Sequence, residues 1–283
     1  MRSSTFVSLL TLLLSAPAHA DEPALKLARE KNWLIVRSPR FPAGEIRINY
    51  LEAYCRPGST DRDWSETVIR HKSELISISA DQTEIKIRDT LTDGVIVDHL
   101  IRAGADEIDF KVEAFNPTDK VSQAHWAQPC VRLGDFAGST SDLRKGDPGD
   151  YISKGFIFVD GKLRRLPVEP WATKARYTPG QVWRPRDVSP DDVNPRPLST
   201  IVPSSGLIGC YSKDEKLIWA TAWEPYQELF QGVARCFHSD FRIGGLNPGQ
   251  RKHIRGKMYI VPTDIQALVR RYEADFPEHV RNK

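Results

Sequence analysis

The chain has 283 residues, with 40 lysines and arginines against 37 aspartates and glutamates, so its formal net charge is only +3 at pH 7. Interspersed charges of both signs exclude the basic stripe that nucleic acid requires, and no polybasic tail favours a membrane surface. The sequence contains no phosphate loop, no dinucleotide fingerprint and no Cys-x-x-Cys spacing, so we expect neither a cofactor nor a metal site.

The first twenty residues have the pattern of a secretory signal peptide. Arg2 precedes a short apolar run over residues 6–14, and residues 18–20 match the small-x-small pattern of a cleavage site. The apolar run is too short to span a bilayer, and no later segment reaches about 18 consecutive apolar residues. We expect residues 1–20 to be removed near Ala20. The mature chain, residues 21–283, is then expected to be a single domain that is secreted or periplasmic and not inserted in a membrane.

Most of the mature chain has the pattern of short β-strands. Residues 108–115 alternate apolar and polar side chains without interruption, and a period of two buries one face of a strand and leaves the other wet. Many such segments with little helix predict an all-β antiparallel sandwich. In chain order, the predicted strand segments are 33–36, 46–50, 75–78, 84–88, 95–97, 108–115, 155–159, 207–211, 217–223, 232–237 and 254–261.

Two helices and one irregular segment complete the predicted elements. Residues 25–31 predict a short helix, and residues 263–279 a C-terminal helix that Thr263 or Asp264 can cap. Residues 139–203 are rich in proline, which cannot donate to a central strand. We expect a long, ordered insertion over one sheet face, serving either as the wall of a binding site or as a structural flap.

The four cysteines, at positions 55, 130, 210 and 236, permit three disulfide pairings in an oxidising compartment, or they are buried free thiols. The sequence leaves both alternatives open.

Two polar groups near the end of the chain could carry acid–base chemistry. His238 and Asp240 lie two residues apart, so a strand would place both on one face, in a row with Cys236. A carboxylate beside a histidine holds one tautomer and suits proton transfer. Glu224 and Glu228 are the nearest further carboxylates and could supply an acid or base. The alternative is that all of these are ordinary surface groups at strand ends.

Two stretches that lie far apart in the chain resemble the galactose-mutarotase-like (aldose-1-epimerase-like) superfamily. Residues 115–120, Phe-Asn-Pro-Thr-Asp-Lys, lead to a strand bearing His125, and residues 246–249, Leu-Asn-Pro-Gly, precede a closing strand. The resemblance implies a β-supersandwich and a divergent, exported member of that superfamily. The family's glutamate base, on the strand before the second turn, has no counterpart in residues 233–240, so simple aldose 1-epimerase activity is not expected.

The resemblance also implies a sugar site on a concave sheet face. His125 and His238 are the expected proton-transfer groups, with Asp240 as the orienting partner. Flat aromatic rings stack on sugars while polar groups bind their hydroxyls. The expected substrate contacts are Trp126, Trp183 and Trp223 as stacking platforms, Arg184 as a contact to an acidic sugar, and Glu224.

These features favour a carbohydrate-active enzyme that acts on an oligo- or polysaccharide, a glycoside hydrolase or lyase rather than an aldose 1-epimerase. The alternative is a non-catalytic carbohydrate-binding module on the same fold, which the missing glutamate favours and the His-x-Asp pair disfavours. A purely structural envelope protein is a third hypothesis. Fold alone does not choose among these functions.

Overall fold

The computed structural model describes residues 25–59, 63–139, 151–170, 181–193, 198–232 and 235–281. The predicted signal peptide lies outside these residues. The helices are α1 (Trp64–Thr67), α2 (Gly134–Ala137), α3 (Ile265–Asp275) and α4 (Pro277–Arg281). The strands are β1 (Lys26–Glu30), β2 (Trp33–Arg37), β3 (Glu45–Cys55), β4 (Val68–Ile69), β5 (His71–Ile78), β6 (Glu84–Leu91), β7 (Ile96–Ala103), β8 (Glu107–Phe115), β9 (Trp126–Arg132), β10 (Gly155–Val159), β11 (Lys162–Arg165), β12 (Gln181–Trp183), β13 (Ile208–Tyr211), β14 (Leu217–Glu224), β15 (Tyr226–Gly232), β16 (Cys236–Arg242) and β17 (Arg251–Pro262).

The strands form two sheets, and neighbouring strands within each sheet pair in antiparallel fashion. The first sheet has the order β1-β2-β3-β9-β16-β15-β12, with β4 beside β3. The second has the order β11-β10-β13-β14-β17-β8-β7-β6-β5. The predicted all-β antiparallel sandwich is therefore confirmed.

The core lies between the two sheets and is built by the predicted alternation. On β8 the even-numbered residues from 108 to 114 are buried, and the residues between them are more exposed. Phe110 of the second sheet stacks on Tyr50 of the first, with ring centroids 5.7 Å apart. Trp223 of the second sheet packs on Phe241 of the first with the rings tilted by 40° and their centroids 4.7 Å apart. Large aromatic side chains from both sheets thus contact each other across the core.

A buried polar network also links the sheets. Tyr50 and Tyr54 reach from β3, the first to His99 Nδ1 at 2.9 Å and the second to Asp89 Oδ2 at 2.6 Å. His99 Nε2 lies 3.2 Å from the same carboxylate oxygen. Burial by itself would raise the pKa of Asp89, but hydrogen bonds from His99 and Tyr54 outweigh it and lower the pKa to about 2.

The predicted C-terminal helix is confirmed as α3 followed by α4. Asp264 caps α3, because its side chain accepts a hydrogen bond from the amide of Ala267 at 2.9 Å. Leu268 and Tyr272 bury one face of α3 against the outer side of the second sheet, in a cluster that includes Tyr259. The helix therefore closes the outer face of β14 and β17.

The helix predicted over residues 25–31 is wrong, because this segment forms β1. Leu25 and Leu27 are both buried, which is the period of a strand, and β1 pairs with β2 along its whole length. Lys31 has a φ of 54° in the turn between the two strands. A short apolar run takes the structure of the neighbour with which it pairs, and this neighbour is the adjacent strand.

Residues 139–203 are less irregular than expected, because their described parts contribute β10, β11 and β12. Strands β11 and β12 lie at the edges of their sheets, where the proline-rich flanks cost no ladder hydrogen bonds. Residues 182–193 cover the outer side of β15, where Val182, Val188 and Val193 pack on Phe230.

Within the described part of the chain, no helix is long and apolar enough to cross a membrane.

Candidate functional site

The outer face of β16 carries a row of polar side chains. This β16 row consists of Cys236, His238, Asp240 and Arg242, whereas Phe237 on the same strand faces the core. The exposed fractions of His238 and Asp240 are only 1% and 0%. The structure therefore brings the two predicted groups together, but in a buried position rather than at an exposed strand end.

The imidazole of His238 lies between a thiol and a carboxylate. Its Nε2 is 3.2 Å from Cys236 Sγ, and its Nδ1 is 3.6 Å from Asp240 Oδ1. The other oxygen of Asp240 accepts a hydrogen bond from Gln128 Nε2 on β9, at 3.1 Å. Both ring nitrogens of His238 are thus directed at protein groups.

The enclosed charges change the pKa values along the row. Burial works against a charge on His238, but the negative charges of Cys236 and Asp240 raise its pKa to about 10. Burial raises the pKa of Asp240 to about 6, against the opposing effect of His238. A hydrogen bond from Cys130 is the largest cause that holds the pKa of Cys236 well below its usual value. The groups of the row therefore influence one another strongly, because burial leaves little solvent to screen their charges.

The two glutamates considered from the sequence lie in different places. Glu228 is completely buried and pairs directly with Asp240 across the β15–β16 ladder, so it belongs to the face of the β16 row. Glu224 lies on the outer face of the second sheet, where its Oε2 is 2.6 Å from His279 Nε2. It borders a cleft of about 860 Å³ that Lys111 and His253 also line.

Residues 115–120 and 246–249, the two stretches that carry the family resemblance, meet close to His125. Asn116 Nδ2 donates to the carbonyl oxygen of Leu246 at 2.9 Å, which joins the first stretch to the second. The carbonyl oxygen of His125 accepts from the amide of Ile243 at 2.7 Å. Gly245 has a φ of +72°, and a Cβ there would lie 3.0 Å from His125 Nε2. The glycine therefore leaves the space that the imidazole occupies.

His125 faces a carboxylate that the sequence did not single out. Its Nδ1 lies 3.9 Å from Asp192 Oδ2, and the same oxygen accepts from Arg242 Nη1 at 3.1 Å. Gly58 N donates to the other oxygen at 3.0 Å, and Gln227 Nε2 donates to the Asp192 carbonyl at 2.6 Å. Burial raises the pKa of Asp192, but His125 and Arg242 have the larger effect and lower it below its ordinary value.

The group formed by His125, Asp192 and Arg242 is the accessible part of the site. The side chains of His125 and Arg242 are each 24% exposed, and that of Asp192 is 9% exposed. Arg242 is the last member of the β16 row, so the buried pair of His238 and Asp240 continues on one strand face into the group around His125. We call the set of His125, Asp192 and Arg242 the open end of the row.

The three tryptophans expected to stack on a sugar are all buried. Trp183 and Trp223 lie in the core between the sheets, with exposed fractions of 0% and 2%. Trp126 is also fully buried, packs with Cys55, and donates through Nε1 to Ser59 Oγ at 3.3 Å. No ring face of these residues is open to a ligand, so the structure corrects their expected role to one in packing.

Arg184, expected to hold an acidic sugar, is turned back onto its own loop. Its Nη1 donates to the carbonyl oxygen of Val188 at 2.6 Å and to that of Pro185 at 3.0 Å. The guanidinium thereby satisfies backbone carbonyls in the segment that covers β15. None of these contacts is to a residue of the β16 row.

Sequence reasoning missed Asp192, Gln128 and Cys130. Gln128 and Cys130 share the outer face of β9 with Trp126, so a period-two argument extended from Trp126 would have found both. Asp192 has no comparable signal. It ends a short turn, residues 190–192, that reaches the site only because the insertion folds over the sheet.

The alternatives left open for the cysteines are decided in favour of free thiols. All four are buried and none forms a disulfide. Cys130 and Cys236 lie on the neighbouring strands β9 and β16.

No family model matches the sequence, and no curated protein matches it. The structure does align with several solved structures, at low sequence identity. The Slr1438 protein of Synechocystis aligns at a TM-score of 0.43 and 10% identity, covering 89% of this chain and 100% of its own. An Escherichia coli K12 protein provisionally named an aldose 1-epimerase aligns at 0.42 and 10%, covering 84% and 99%. A galactose mutarotase-like protein of Lactobacillus casei aligns at 0.40 and 7%, covering 84% and 100%.

The structural neighbours thus include galactose mutarotase-like and aldose 1-epimerase-like proteins, at low identity. Similarity at this level identifies neither the substrate nor the reaction of this chain. The fold and the site define a two-sheet β-sandwich protein with a polar, partly accessible face on its first sheet.

Proposed function

We propose that the protein is an exported carbohydrate-active enzyme whose substrate binds at the open end of the β16 row. The observation that supports this proposal is the junction around His125. The two stretches that resemble a sugar-processing superfamily are hydrogen-bonded to each other through Asn116 and Leu246. That junction holds a partly exposed histidine beside the carboxylate of Asp192.

His125 is the proton-transfer group in this proposal. Asp192 faces the imidazole and can orient it, and Arg242 can hold or neutralise an anionic oxygen of the substrate. A histidine with an arginine suits proton abstraction, as in a lyase or an epimerase. A glycosidase would usually need two carboxylates, for which the buried neighbours Asp240 and Glu228 are the candidates.

A non-catalytic carbohydrate-binding module is the second candidate. The burial of His238, Asp240 and Glu228 favours it, because a substrate atom cannot reach fully buried groups. A binding module would still use the exposed side chains of the open end. It would need no group that titrates in the working pH range.

The test is a screen of the purified protein against a panel of neutral and acidic oligosaccharides, with calorimetry for binding and chromatography for product. The variants are His125→Gln and Asp192→Asn. The control is His253→Gln, whose side chain is 78% exposed on the second sheet. We expect product from the wild type and the control, and at least a ~100-fold lower rate in His125→Gln.

Two results would change the assignment. Binding that is weakened by His125→Gln, with no product from any sugar, would establish the binding module. Product that forms at an equal rate in His125→Gln would remove the proton-transfer role from this residue.

Export rests on the first twenty residues. We propose that cleavage near Ala20 leaves Asp21 as the first residue of the mature protein. Mass spectrometry of protein isolated from the producing cells should give the mass of residues 21–283. The mass of the uncleaved chain in the cytoplasmic fraction alone would contradict export.

A further inference from the structure

Three potential metal ligands converge at the buried end of the β16 row. Cys130, Cys236 and His238 place their Sγ, Sγ and ring nitrogen atoms within 4.8 Å of one another, and all three residues are buried. The register that pairs Phe237 with Val131 sets Cys130 opposite His238 across the β9–β16 ladder. Two neighbouring strands therefore fix all three groups.

We propose that Cys130, Cys236 and His238 bind a thiophilic d10 metal ion, Zn²⁺ or Cu⁺. Thiolate and imidazole are the ligands that both ions prefer in proteins. The Sγ of Cys236 lies 3.2 Å from Nε2 of His238. Tetrahedral zinc with ordinary bond lengths separates sulfur and nitrogen ligands by about 3.5 Å, so this sulfur–nitrogen pair needs to move apart by only a few tenths of an ångström.

The other side of His238 has the contact that ligating histidines usually make. Its Nδ1 faces Asp240 Oδ1 at 3.6 Å, and Gln128 Nε2 donates to Asp240 Oδ2 at 3.1 Å. A carboxylate on the far ring nitrogen fixes the ring orientation and the tautomer, and it makes the ligating nitrogen more basic. The row thus supplies both the ligand and its support.

Gly232 lies against two of these ligands. Its backbone does not require glycine, because its φ is not positive, yet a Cβ at this position would overlap Cys236 Sγ and lie 3.4 Å from His238 Nε2. Tyr151, which is buried in the core cluster, donates through its hydroxyl to the Gly232 carbonyl oxygen and holds this part of β15 in place. The β15 backbone at Gly232 therefore lies directly against the sulfur of Cys236, and the burial of all three ligands shields the site from solvent.

This inference goes beyond the proposed function and does not depend on it. A metal at this position would make His238 a ligand and leave proton transfer to His125 at the open end. Metal binding is measured without any sugar, so its failure would leave the carbohydrate proposal untouched. The sequence alone predicts no metal site, because the two cysteines lie far apart in the chain.

The test measures bound metal directly. The purified protein would be equilibrated with Zn²⁺ or, without oxygen, with Cu⁺, and its metal content measured by plasma mass spectrometry. Co²⁺ would serve as a probe, since a thiolate-to-cobalt charge-transfer band requires sulfur ligands. The variants are Cys130→Ser, Cys236→Ser and Asp240→Asn. The matched control is Cys210→Ser, at a buried cysteine on β13 of the second sheet.

We expect about one equivalent of metal in the wild type and in Cys210→Ser, and a loss of more than about tenfold in the two ligand variants. Asp240→Asn, which keeps the shape of the site, should weaken the affinity by about 10–100-fold. Far-ultraviolet circular dichroism would show that each variant is folded. Unchanged metal content in Cys130→Ser, a metal-free wild type with free thiols, or a Cys130–Cys236 disulfide in its mass would each overturn the proposal.

Discussion

Asn116 and Leu246 are joined by a hydrogen bond of 2.9 Å, although 130 positions separate them in the sequence. The same Nδ2 group donates to the carbonyl oxygen of Lys120 at 2.7 Å, and Oδ1 accepts from the amide of Thr118 at 3.0 Å. One buried amide therefore ties the turn after β8 to the turn before β17. This tie fixes the backbone from which His125 reaches the open end.

We expect Asn116→Ala to lower the free energy of unfolding by about 2–3 kcal/mol, because it leaves buried backbone groups without their partners. Urea denaturation measures this change. Asn247→Ala is the matched control, since Asn247 is exposed in the same turn, and it should change the free energy by less than about 0.5 kcal/mol. Equal effects of the two substitutions would show that the buried tie is unimportant.

The close contact between Gly232 on β15 and Cys236 on β16 leads to a second prediction. Gly232→Ala should cost about 1–3 kcal/mol of unfolding free energy, because the added methyl overlaps the Cys236 sulfur. In a Cys236→Ala background the same substitution should cost at least about 1 kcal/mol less. Thermal or urea unfolding of the four proteins gives the double-mutant cycle. Additive effects would mean that the sulfur is not the obstacle.

The buried network around Asp89 predicts a particular pH dependence. Its pKa is lowered to about 2 from an ordinary 3.8, so the ionised form stabilises the folded protein above about pH 4. That stabilisation, about 2 kcal/mol, is lost as the pH falls from about 4 towards 2. Asp89→Asn should lose it at neutral pH and flatten the acid limb of the stability curve.

Urea unfolding between pH 2 and pH 7 tests this expectation. Asp98→Asn is the control, because the Asp98 carboxylate is 44% exposed and pairs with Arg88 on the surface, where an ion pair contributes little. An acid limb of the same slope in Asp89→Asn and in the wild type would contradict the role of the network.

The placement of Trp223 makes a prediction that separates packing from sugar binding. Trp223→Ala should lower the free energy of unfolding by about 3–5 kcal/mol, because its ring fills space between Phe110 and Phe241. Trp223→Phe should lose less stability and leave any response to sugars unchanged. Calorimetric titration against the oligosaccharide panel checks the second point. A variant that keeps full stability but loses sugar binding would restore Trp223 as a stacking platform.

Local sequence patterns were enough to predict those helices and strands whose side-chain periodicity does not depend on the neighbour with which they pair. The alternating residues 108–115 form most of β8. Asp264 caps α3 as its position predicted, and Leu268 lies on the buried face of that helix. Residues 25–31 were interpreted as a helix because a short apolar run fits either period, and the adjacent strand decided the outcome. The tryptophans were interpreted as ligand contacts because composition does not say which face of a sandwich is open.

The sequence by itself determined the all-β class, the C-terminal helix and the shared face of His238 and Asp240. Each of these follows from side-chain periodicity or local capping, which neighbouring residues encode. Only the tertiary structure decided that Cys130 meets His238, that Asp192 faces His125, and that Trp223 belongs to the core. These relationships depend on which strands become neighbours and on which segment covers a face, and no local period carries that information.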